Sequence, residues 1–253
     1  MGTKLYKRVY VWEFPVRLFH WLNAAAILVL VVTGLFIGDP LALMENDEAY
    51  KTFVMGTVRY VHFVAAYVLL VVFLLRIYWG FVGNKYARWK NFLPFGKNKA
   101  KKLGHVIKHD ILLVPEKKED YYHELSIGHN PVASTAYLIF FVLLAVMVLT
   151  GFGLYSQNAS WWLPKLFSWV PPLLGGDFGT RLVHHTTMWL IILFIIVHVY
   201  LVIYHDVVEA RGEVSSMISG YKFARWERFR SFVRRKEKIR KILEEPVEEE
   251  VMS

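Results

Sequence analysis

The sequence predicts an all-α fold: an integral membrane four-helix bundle with cytoplasmic termini and a short interfacial helix on the outer side. Its composition is the first of three observations behind this prediction. The 253-residue chain is 55 % hydrophobic, which exceeds the apolar share of about 45–50 % in soluble domains. The other two observations are four long apolar runs and the uneven distribution of basic residues around them.

Four apolar runs are each long enough to cross a bilayer as a helix, for which about 20 residues suffice. They cover residues 17–38, 57–82, 132–155 and 182–205. Four spans place both termini on one side. That side carries 25 of the Lys and Arg residues and the opposite side carries 4. Because cytoplasmic loops are enriched in Lys and Arg, we expect a multi-pass protein of the inner membrane with both termini in the cytoplasm.

The segments outside the spans differ in composition. The loop at 157–179 contains three tryptophans and three prolines, which predicts a short helix at the outer membrane interface. We assign residues 1–224 to the membrane domain and residues 225–253 to a charged cytoplasmic tail. The net charge of +9 follows from the basic cytoplasmic segments, so we expect contacts with lipid and no nucleic-acid partner.

Histidines within the spans are the candidate functional residues, because ionisable side chains inside a membrane are costly and usually functional. In the fourth span His184 and His198 are 14 residues apart. On a helix they therefore share one face and lie about 21 Å apart along the axis. Matching depths pairs His62 with His184 near the outer side and His20 with His198 near the cytoplasmic side.

Each of these pairs joins two helices, which is how helical bundles build cofactor sites. Two imidazoles fill both axial positions of a b-type haem, leaving its iron to carry electrons rather than bind oxygen. The chain contains no cysteine, which excludes thiolate-bound clusters and covalent haem attachment within it. The pattern therefore predicts two haem b groups. His185 remains an alternative ligand to His184, whereas His205, at the membrane edge, is expected to be solvated or to face a propionate.

Three arginines are candidate partners for the propionates of these haems. Arg59 and Arg181 flank the outer pair, and Arg76 lies in the second span toward the cytoplasmic side. A guanidinium binds a carboxylate in a bidentate manner when the geometry allows. The alternative for each arginine is that its charged end extends to the membrane interface.

The chain also contains an internal repeat of two helix pairs. The segment VVTGLFIG ends the first span and VLTGFGLY ends the third, with Gly34 and Gly151 separated by 117 residues. His62 and His184 open the second and fourth spans and are separated by 122 residues. The similarity predicts that the two halves of the bundle have related structures.

The same offsets identify counterparts for the cytoplasmic pair of histidines. His20 in the first span corresponds to Tyr137 in the third. His198 in the fourth span corresponds to Arg76 in the second. The repeat thus indicates that the second span lacks one ligand position that the fourth span has.

Seven short motifs together resemble one family of membrane proteins. They are WEFPVRLFHW at 12–21, TGLFIG at 33–38, RIYWGFVGN at 76–84, IGHNP at 127–131, TGFGLYS at 150–156, MWL at 188–190 followed by HVY at 198–200, and SGYK at 219–222. The combination resembles the cytochrome b subunit of membrane-bound nickel–iron hydrogenases, a family related to the di-haem cytochromes of formate dehydrogenase. The likeness covers residues 8–224.

The resemblance implies a function and a set of partners. In that family the hydrogenase large and small subunits face the periplasm, and the small subunit contains iron–sulfur clusters. Electrons from hydrogen are expected to pass from those clusters to the outer haem, then to the inner haem, and then to a quinone such as menaquinone or ubiquinone. By resemblance His62, His184 and His198 fall on ligand positions, and His20 falls on the histidine of the first span.

The quinone is expected to bind near the inner haem. A quinone carbonyl needs a hydrogen-bond donor and, on reduction, a supply of protons. The candidates are Asn23, Arg76, His205 and the GHNP segment, and their residue types do not single one out.

Three other classes of function fit parts of the pattern. The cytochrome of a formate dehydrogenase or thiosulfate reductase, or a stand-alone b-type cytochrome, would have similar histidines but a different partner. A histidine-dependent metal transporter would favour acidic residues within the spans, and the first three spans have none. A structural anchor for a peripheral enzyme would not need histidines matched in depth.

Overall fold

The computed structural model describes residues 6–39, 53–89, 131–207 and 213–225. In chain order its elements are β1 (Tyr6–Tyr10), α1 (Phe14–Gly38), α2 (Val54–Val82), α3 (Pro131–Ser156), α4 (Trp162–Lys165), α5 (Val170–Leu173), α6 (Gly176–Val207), α7 (Glu213–Ser219) and β2 (Tyr221–Arg225). The GHNP segment up to Asn130, the tail beyond Arg225 and the side chain of His205 lie outside the described residues.

The helices α1, α2, α3 and α6 confirm the four predicted spans. Each is long and apolar enough to cross a membrane. The helices extend beyond the apolar runs because the flanking residues suit helix ends. Pro15 lies in the first turn of α1, where its fixed φ is favourable. Asp177 lies in the first turn of α6, where a negative charge is stabilised by the helix dipole.

The long helices pack as two pairs around one apolar core. α1 packs against α2, and α3 packs against α6. The buried core draws on all four helices: Ala26, Ile27, Leu69, Leu70, Phe73, Leu144, Val148, Phe152 and Ile191. The outward faces carry large exposed apolar side chains, among them Leu28, Leu74 and Ile196. Because such continuous apolar surfaces are unfavourable in water, they are suited to contact lipid.

The helices α4 and α5 lie where α1 and α3 end, which we call the short-helix end of the bundle. The sequence predicted one short helix in this loop, and the structure contains two. Val170 of α5 packs so closely on Gly153 of α3 that a Cβ at this glycine would lie 3.0 Å from the valine Cβ. Trp162 and Trp169 remain 66 % and 53 % exposed, as expected for aromatic residues at a membrane interface.

The opposite end, which we call the sheet end, is closed by an antiparallel pair of strands that the sequence analysis did not predict. β1 pairs with β2 so that Tyr6 lies opposite Arg225 and Tyr10 lies opposite Tyr221. The backbone N–H groups of Val11 and Trp12 both donate to the carbonyl of Gly220, at 2.9 and 3.1 Å. These bonds join the segments that precede α1 and follow α7.

A hydrogen-bond network around the half-buried carboxylate of Glu13 joins the start of α1 to the end of α2. Glu13 accepts hydrogen bonds from Trp79 Nε1 at 3.0 Å and from the backbone N–H of Asn84 at 2.9 Å. The side-chain amide of Asn84 donates in turn to the carbonyl of Val11 at 3.0 Å. The motifs WEFPVRLFHW and RIYWGFVGN therefore contain residues that hold the sheet end together.

We expect Gly220→Ala to destabilise the protein more than Gly175→Ala. Both glycines have positive φ, +86° and +80°, so either side chain costs about 1–2 kcal/mol in backbone conformation. A Cβ at Gly220 would also lie 2.7 Å from the carbonyl oxygen of Trp12, whereas nothing described lies within 4 Å at Gly175. Thermal unfolding of the detergent-purified chain measures both variants. Equal decreases in the midpoint temperature would contradict the importance of this contact.

Candidate functional site

The short-helix end contains a cavity of about 380 Å³ between the long helices. This volume lies within the range of about 300–1,000 Å³ for ligand sites. His62 of α2 and His184 of α6, the predicted outer pair, both line it, as do Arg59 and Arg181. Most of the remaining wall is apolar. The structure thus brings together four of the seven predicted site residues in one apolar cavity.

The two arginines of this group are suited to an anionic part of a ligand. Arg59 is exposed, and the side chain of Arg181 is 63 % exposed, so both lie where the cavity opens. Arg181 also lies 3.9 Å from the carboxylate of Asp177, one turn earlier in α6. Such an exposed ion pair contributes little stability, and Arg181 therefore loses little by contacting another carboxylate.

Each histidine of the outer pair is hydrogen-bonded to a threonine of the neighbouring helix. Thr33 Oγ1 lies 2.8 Å from His62 Nδ1, and Thr150 Oγ1 lies 2.8 Å from His184 Nδ1. These contacts occur at equivalent positions of the internal repeat. The first joins α1 to α2, and the second joins α3 to α6.

The direction of these hydrogen bonds follows from the other contacts of the threonines. Thr33 Oγ1 lies 2.7 Å from the carbonyl oxygen of Val29, and Thr150 Oγ1 lies 2.7 Å from that of Val146. A hydroxyl has one proton, and at this distance the proton is donated to the carbonyl. The hydroxyl oxygen therefore accepts a hydrogen bond from the imidazole Nδ1–H. In this tautomer the Nε2 atom has a free lone pair, which is the form that binds a metal.

Glycines beside these threonines bring the backbone close to the imidazoles. A Cβ at Gly34 would lie 3.6 Å from His62 Cε1, and a Cβ at Gly151 would lie 3.2 Å from His184 Cε1. The glycines therefore leave space that a larger residue would occupy. Glycine is common where the backbone approaches a ligand closely.

His185 lines the same cavity but is held differently from His184. Its ring packs against α1, and a Cβ at Gly38 would lie 3.3 Å from His185 Cε1. The threonine contact is made by His184, which is also the repeat counterpart of His62. The structure thus favours His184 as the partner of His62 and places His185 in the wall.

The predicted inner pair is also brought together. The ring centroids of His20 on α1 and His198 on α6 are 6.4 Å apart. Phe194 stacks on His198 at 5.7 Å with an interplanar angle of 8°, which fixes the plane of that imidazole. His20 Nδ1 is buried and has no hydrogen-bond partner among the described residues.

The spacing of His20 and His198 suits two axial ligands of one iron. A metal bonded to a nitrogen of each ring at about 2 Å accounts for about 4 Å of the 6.4 Å separation. The remainder corresponds to the two ring radii. The residues present therefore fit a bis-histidine site at this end of the bundle as well.

Arg76, the seventh predicted site residue, lies apart from the cavity at the short-helix end. It is buried and donates to the carbonyl of Ala87 at 3.3 Å. Its guanidinium lies 5.2 Å from the ring centre of Trp89 and 5.3 Å from that of Tyr137, within the range of cation–π interactions. Its role as a cofactor contact stays a prediction.

The histidines form pairs rather than larger clusters. Within the described ranges, no group of three or more His, Asp or Glu side chains is placed to hold a metal ion. A free-metal site in a transporter usually needs more than two such ligands. Paired imidazoles instead suit haem, because the porphyrin supplies the other four ligands to iron.

The family model of prokaryotic cytochrome b561 matches residues 11–220. The chain belongs to this family. The matched region includes all four long helices and both histidine pairs, and membership implies a b-type haem. The family resemblance predicted from the seven motifs is therefore confirmed.

Relatives of this cytochrome are similar over most of their length. A protein of Azotobacter vinelandii is 42 % identical over 224 residues, covering 87 % of this chain and 90 % of the relative. One from Cupriavidus necator is 41 % identical over 223 residues, with coverage of 87 % and 88 %. Both are named probable Ni/Fe-hydrogenase B-type cytochrome subunit. The probable Ni/Fe-hydrogenase 1 B-type cytochrome subunit of Escherichia coli K12 is 36 % identical over 218 residues, with coverage of 84 % and 90 %.

The two threonines that contact the outer histidine pair of this cytochrome were not predicted from the sequence. The available signal was the dipeptide Thr-Gly, which occurs at the same place in both halves of the repeat at Thr33 and Thr150. The glycines of this dipeptide mark the repeat, but a threonine in an apolar helix has no distinguishing pattern. Met188 was also missed as a cavity residue.

We expect Gly151→Ala to lower the haem content of the cytochrome and Gly34→Ala to leave it nearly unchanged. The added methyl group at Gly151 would press on His184 at 3.2 Å, whereas at Gly34 it would meet its nearest neighbours at an ordinary 3.6 Å. Haem per folded chain, determined by pyridine haemochrome, measures the difference. An equally large loss of haem in Gly34→Ala would contradict the importance of the close contact between Gly151 and His184.

Proposed function

We propose that this cytochrome is the membrane subunit of a nickel–iron hydrogenase complex and transfers electrons from the hydrogenase small subunit to the quinone pool. The names of the relatives from three bacteria support the choice of partner. The observation that carries the proposal is the position of His184 and His198 on one helix. Each is grouped with a histidine of another helix, near a different end of the bundle.

In this proposal the protein holds two haem b groups. His62 and His184 bind one, and His20 and His198 bind the other. Haem b with two axial histidines supplies one-electron transfer and leaves no open position for oxygen. The two ligands on α6 are separated by 14 residues, or about 21 Å along the helix, so the two sites lie near opposite membrane surfaces.

The protein's own side chains orient these groups. Arg59 and Arg181 place positive charge where the outer cavity opens, which suits the propionates of a haem. The apolar wall excludes water and lowers the local dielectric constant, one of the factors that set a haem potential. Arg76, in the inner half of the domain, is a candidate contact for a propionate of the inner haem.

We infer that the short-helix end faces the periplasm. The four Lys and Arg residues on that side, against 25 on the other, support this orientation through the positive-inside rule. The small subunit, and through it the large subunit, would then dock near His62 and His184. The termini and the sheet end would lie in the cytoplasm of a cell whose inner membrane holds the complex.

The quinone is proposed to bind near the inner pair, at the sheet end. Asn23 follows His20 by three residues, and its side-chain oxygen is buried without a hydrogen-bond donor among the described residues. An unpaired buried acceptor is unfavourable, and the hydroxyl of a reduced quinone would satisfy it. Asn23 is therefore the candidate that the structure supports most directly.

We expect two b-type haems per chain, each lost with its own histidine pair. His62→Ala and His184→Ala should remove the same haem, and His20→Ala and His198→Ala should remove the other, because each iron loses an axial ligand. Haem quantification and low-temperature absorption spectra of the detergent-purified variants measure this. His185→Ala is the matched control and should keep both haems. No haem in a folded chain would contradict the proposal, and one haem would overturn one of the pairs.

We expect His198→Ala to separate the two halves of the electron path. In membranes that contain the whole hydrogenase complex, hydrogen should still reduce the outer haem of this variant but no longer reduce added quinone. His62→Ala should abolish both reactions, because it removes the haem nearer the small subunit. Quinone reduction that survives in His198→Ala would contradict the order of the two sites. Co-purification with a formate dehydrogenase instead of a hydrogenase would favour the alternative partner.

A further inference from the structure

We propose that Thr33 and Thr150 are a matched pair of positioning residues that fix the axial histidines of the outer haem and set its reduction potential. The inference rests on the proposed function, in which His62 and His184 are those ligands. It goes beyond that function because it assigns a role to two residues that bind neither haem nor quinone.

Both threonines are buried within the bundle. Thr33 is 8 % exposed and Thr150 is 2 % exposed. Each hydroxyl donates to the carbonyl four residues earlier in its own helix and accepts from an imidazole at 2.8 Å. Neither threonine reaches the iron-binding Nε2 face of the histidine. Any effect on the metal therefore passes through the imidazole ring.

Other buried threonines in the bundle lack this feature. Thr187 donates to the carbonyl of Val183 at 2.7 Å, and Thr180 donates to that of Gly176 at 2.8 Å. Neither has a described hydrogen bond to a histidine. Threonine thus commonly donates to the preceding turn in these helices, and Thr33 and Thr150 make a hydrogen bond to an imidazole in addition.

The chemical consequence follows from the direction of the hydrogen bond. An imidazole that donates its Nδ1–H gains electron density at Nε2 and becomes a more basic ligand. A more basic ligand stabilises the oxidised iron more than the reduced iron, so it lowers the reduction potential. Because both axial histidines donate in the same way, the two effects act in the same direction on one iron.

The inner pair provides an internal contrast. His20 Nδ1 has no hydrogen-bond partner among the described residues. In the outer pair, a threonine that accepts from each Nδ1–H is inferred to lower the reduction potential of the haem. His20 has no such acceptor among the described residues, so it does not lower the potential of the inner haem in this way. The difference favours electron transfer from the outer site to the inner site, which is the direction of the proposed function.

The test uses the full chain with its haems and the variants Thr33→Val, Thr150→Val and both together. Valine keeps the shape of threonine but removes the hydroxyl, and leaves the Nδ1–H without an acceptor. Each single variant should raise the midpoint potential of the outer haem and weaken haem binding by about 10- to 100-fold, the range for loss of such supporting contacts. The double variant should shift the potential further. The potential of the inner haem should not change.

Two controls separate positioning from packing. Thr33→Ser and Thr150→Ser retain the hydroxyl, so the midpoint potential of the outer haem should match that of the unsubstituted chain. Thr187→Val removes a hydroxyl of similar burial from α6, three residues from His184, and should leave both potentials unchanged. Redox titration of the two α-bands and thermal unfolding are measured on the same samples. Unfolding at a lower temperature with unchanged potentials would show a purely structural role and overturn the inference.

The same series distinguishes failure of the inference from failure of the proposed function. If His62→Ala and His184→Ala keep the outer haem, the ligand assignment is wrong and the proposed function fails with it. If those variants lose the haem while Thr33→Val and Thr150→Val match Thr187→Val, only the role of the threonines is overturned.

Discussion

Two hydrogen bonds of the same form determine the geometry of the site. Thr33 contacts His62 across α1 and α2, and Thr150 contacts His184 across α3 and α6. A polar group in an apolar interior costs free energy unless it is paired, so these bonds restrict how each helix can rotate against its neighbour. The same two helix pairs share the most extensive contacts among the described helices. The cavity is the space between two halves that are each fixed in this way.

The spans and the histidine pairs could be predicted because a bilayer imposes strict rules on sequence. Helix length must match membrane thickness, and polar residues must have a reason to be there. The relative depths of the histidines then followed from helix geometry together with the alternating direction of the four spans. The strands at Tyr6–Tyr10 and Tyr221–Arg225 could not be predicted, because each is short and its partner is distant in the chain. The roles of Thr33 and Thr150 were hidden because threonine commonly bonds to its own helix.

The residues of the sequence motifs other than the histidines have their own physical role. Glu13 ties the start of α1 to Trp79 at the end of α2, and the positive φ of Gly220 allows the carbonyl to receive two backbone donors. These contacts hold the chain segments on either side of the membrane domain against each other. His20 lies only two turns from this anchored region. The family pattern therefore includes residues that support the region around His20 as well as the histidine itself.

The repeat has a consequence for the number of routes through the bundle. Exchanging the two halves maps the outer pair of histidines onto itself, but it maps His20 and His198 onto Tyr137 and Arg76. The structure places these two counterparts side by side, with the guanidinium 5.3 Å from the centre of the tyrosine ring. An arginine is always protonated and offers no lone pair to a metal. Of the two equivalent positions in the repeat, the one occupied by Tyr137 and Arg76 thus does not provide a pair of metal ligands. Under the proposed ligand pairs, an electron that leaves the outer site therefore has a single route, through the site of His20 and His198.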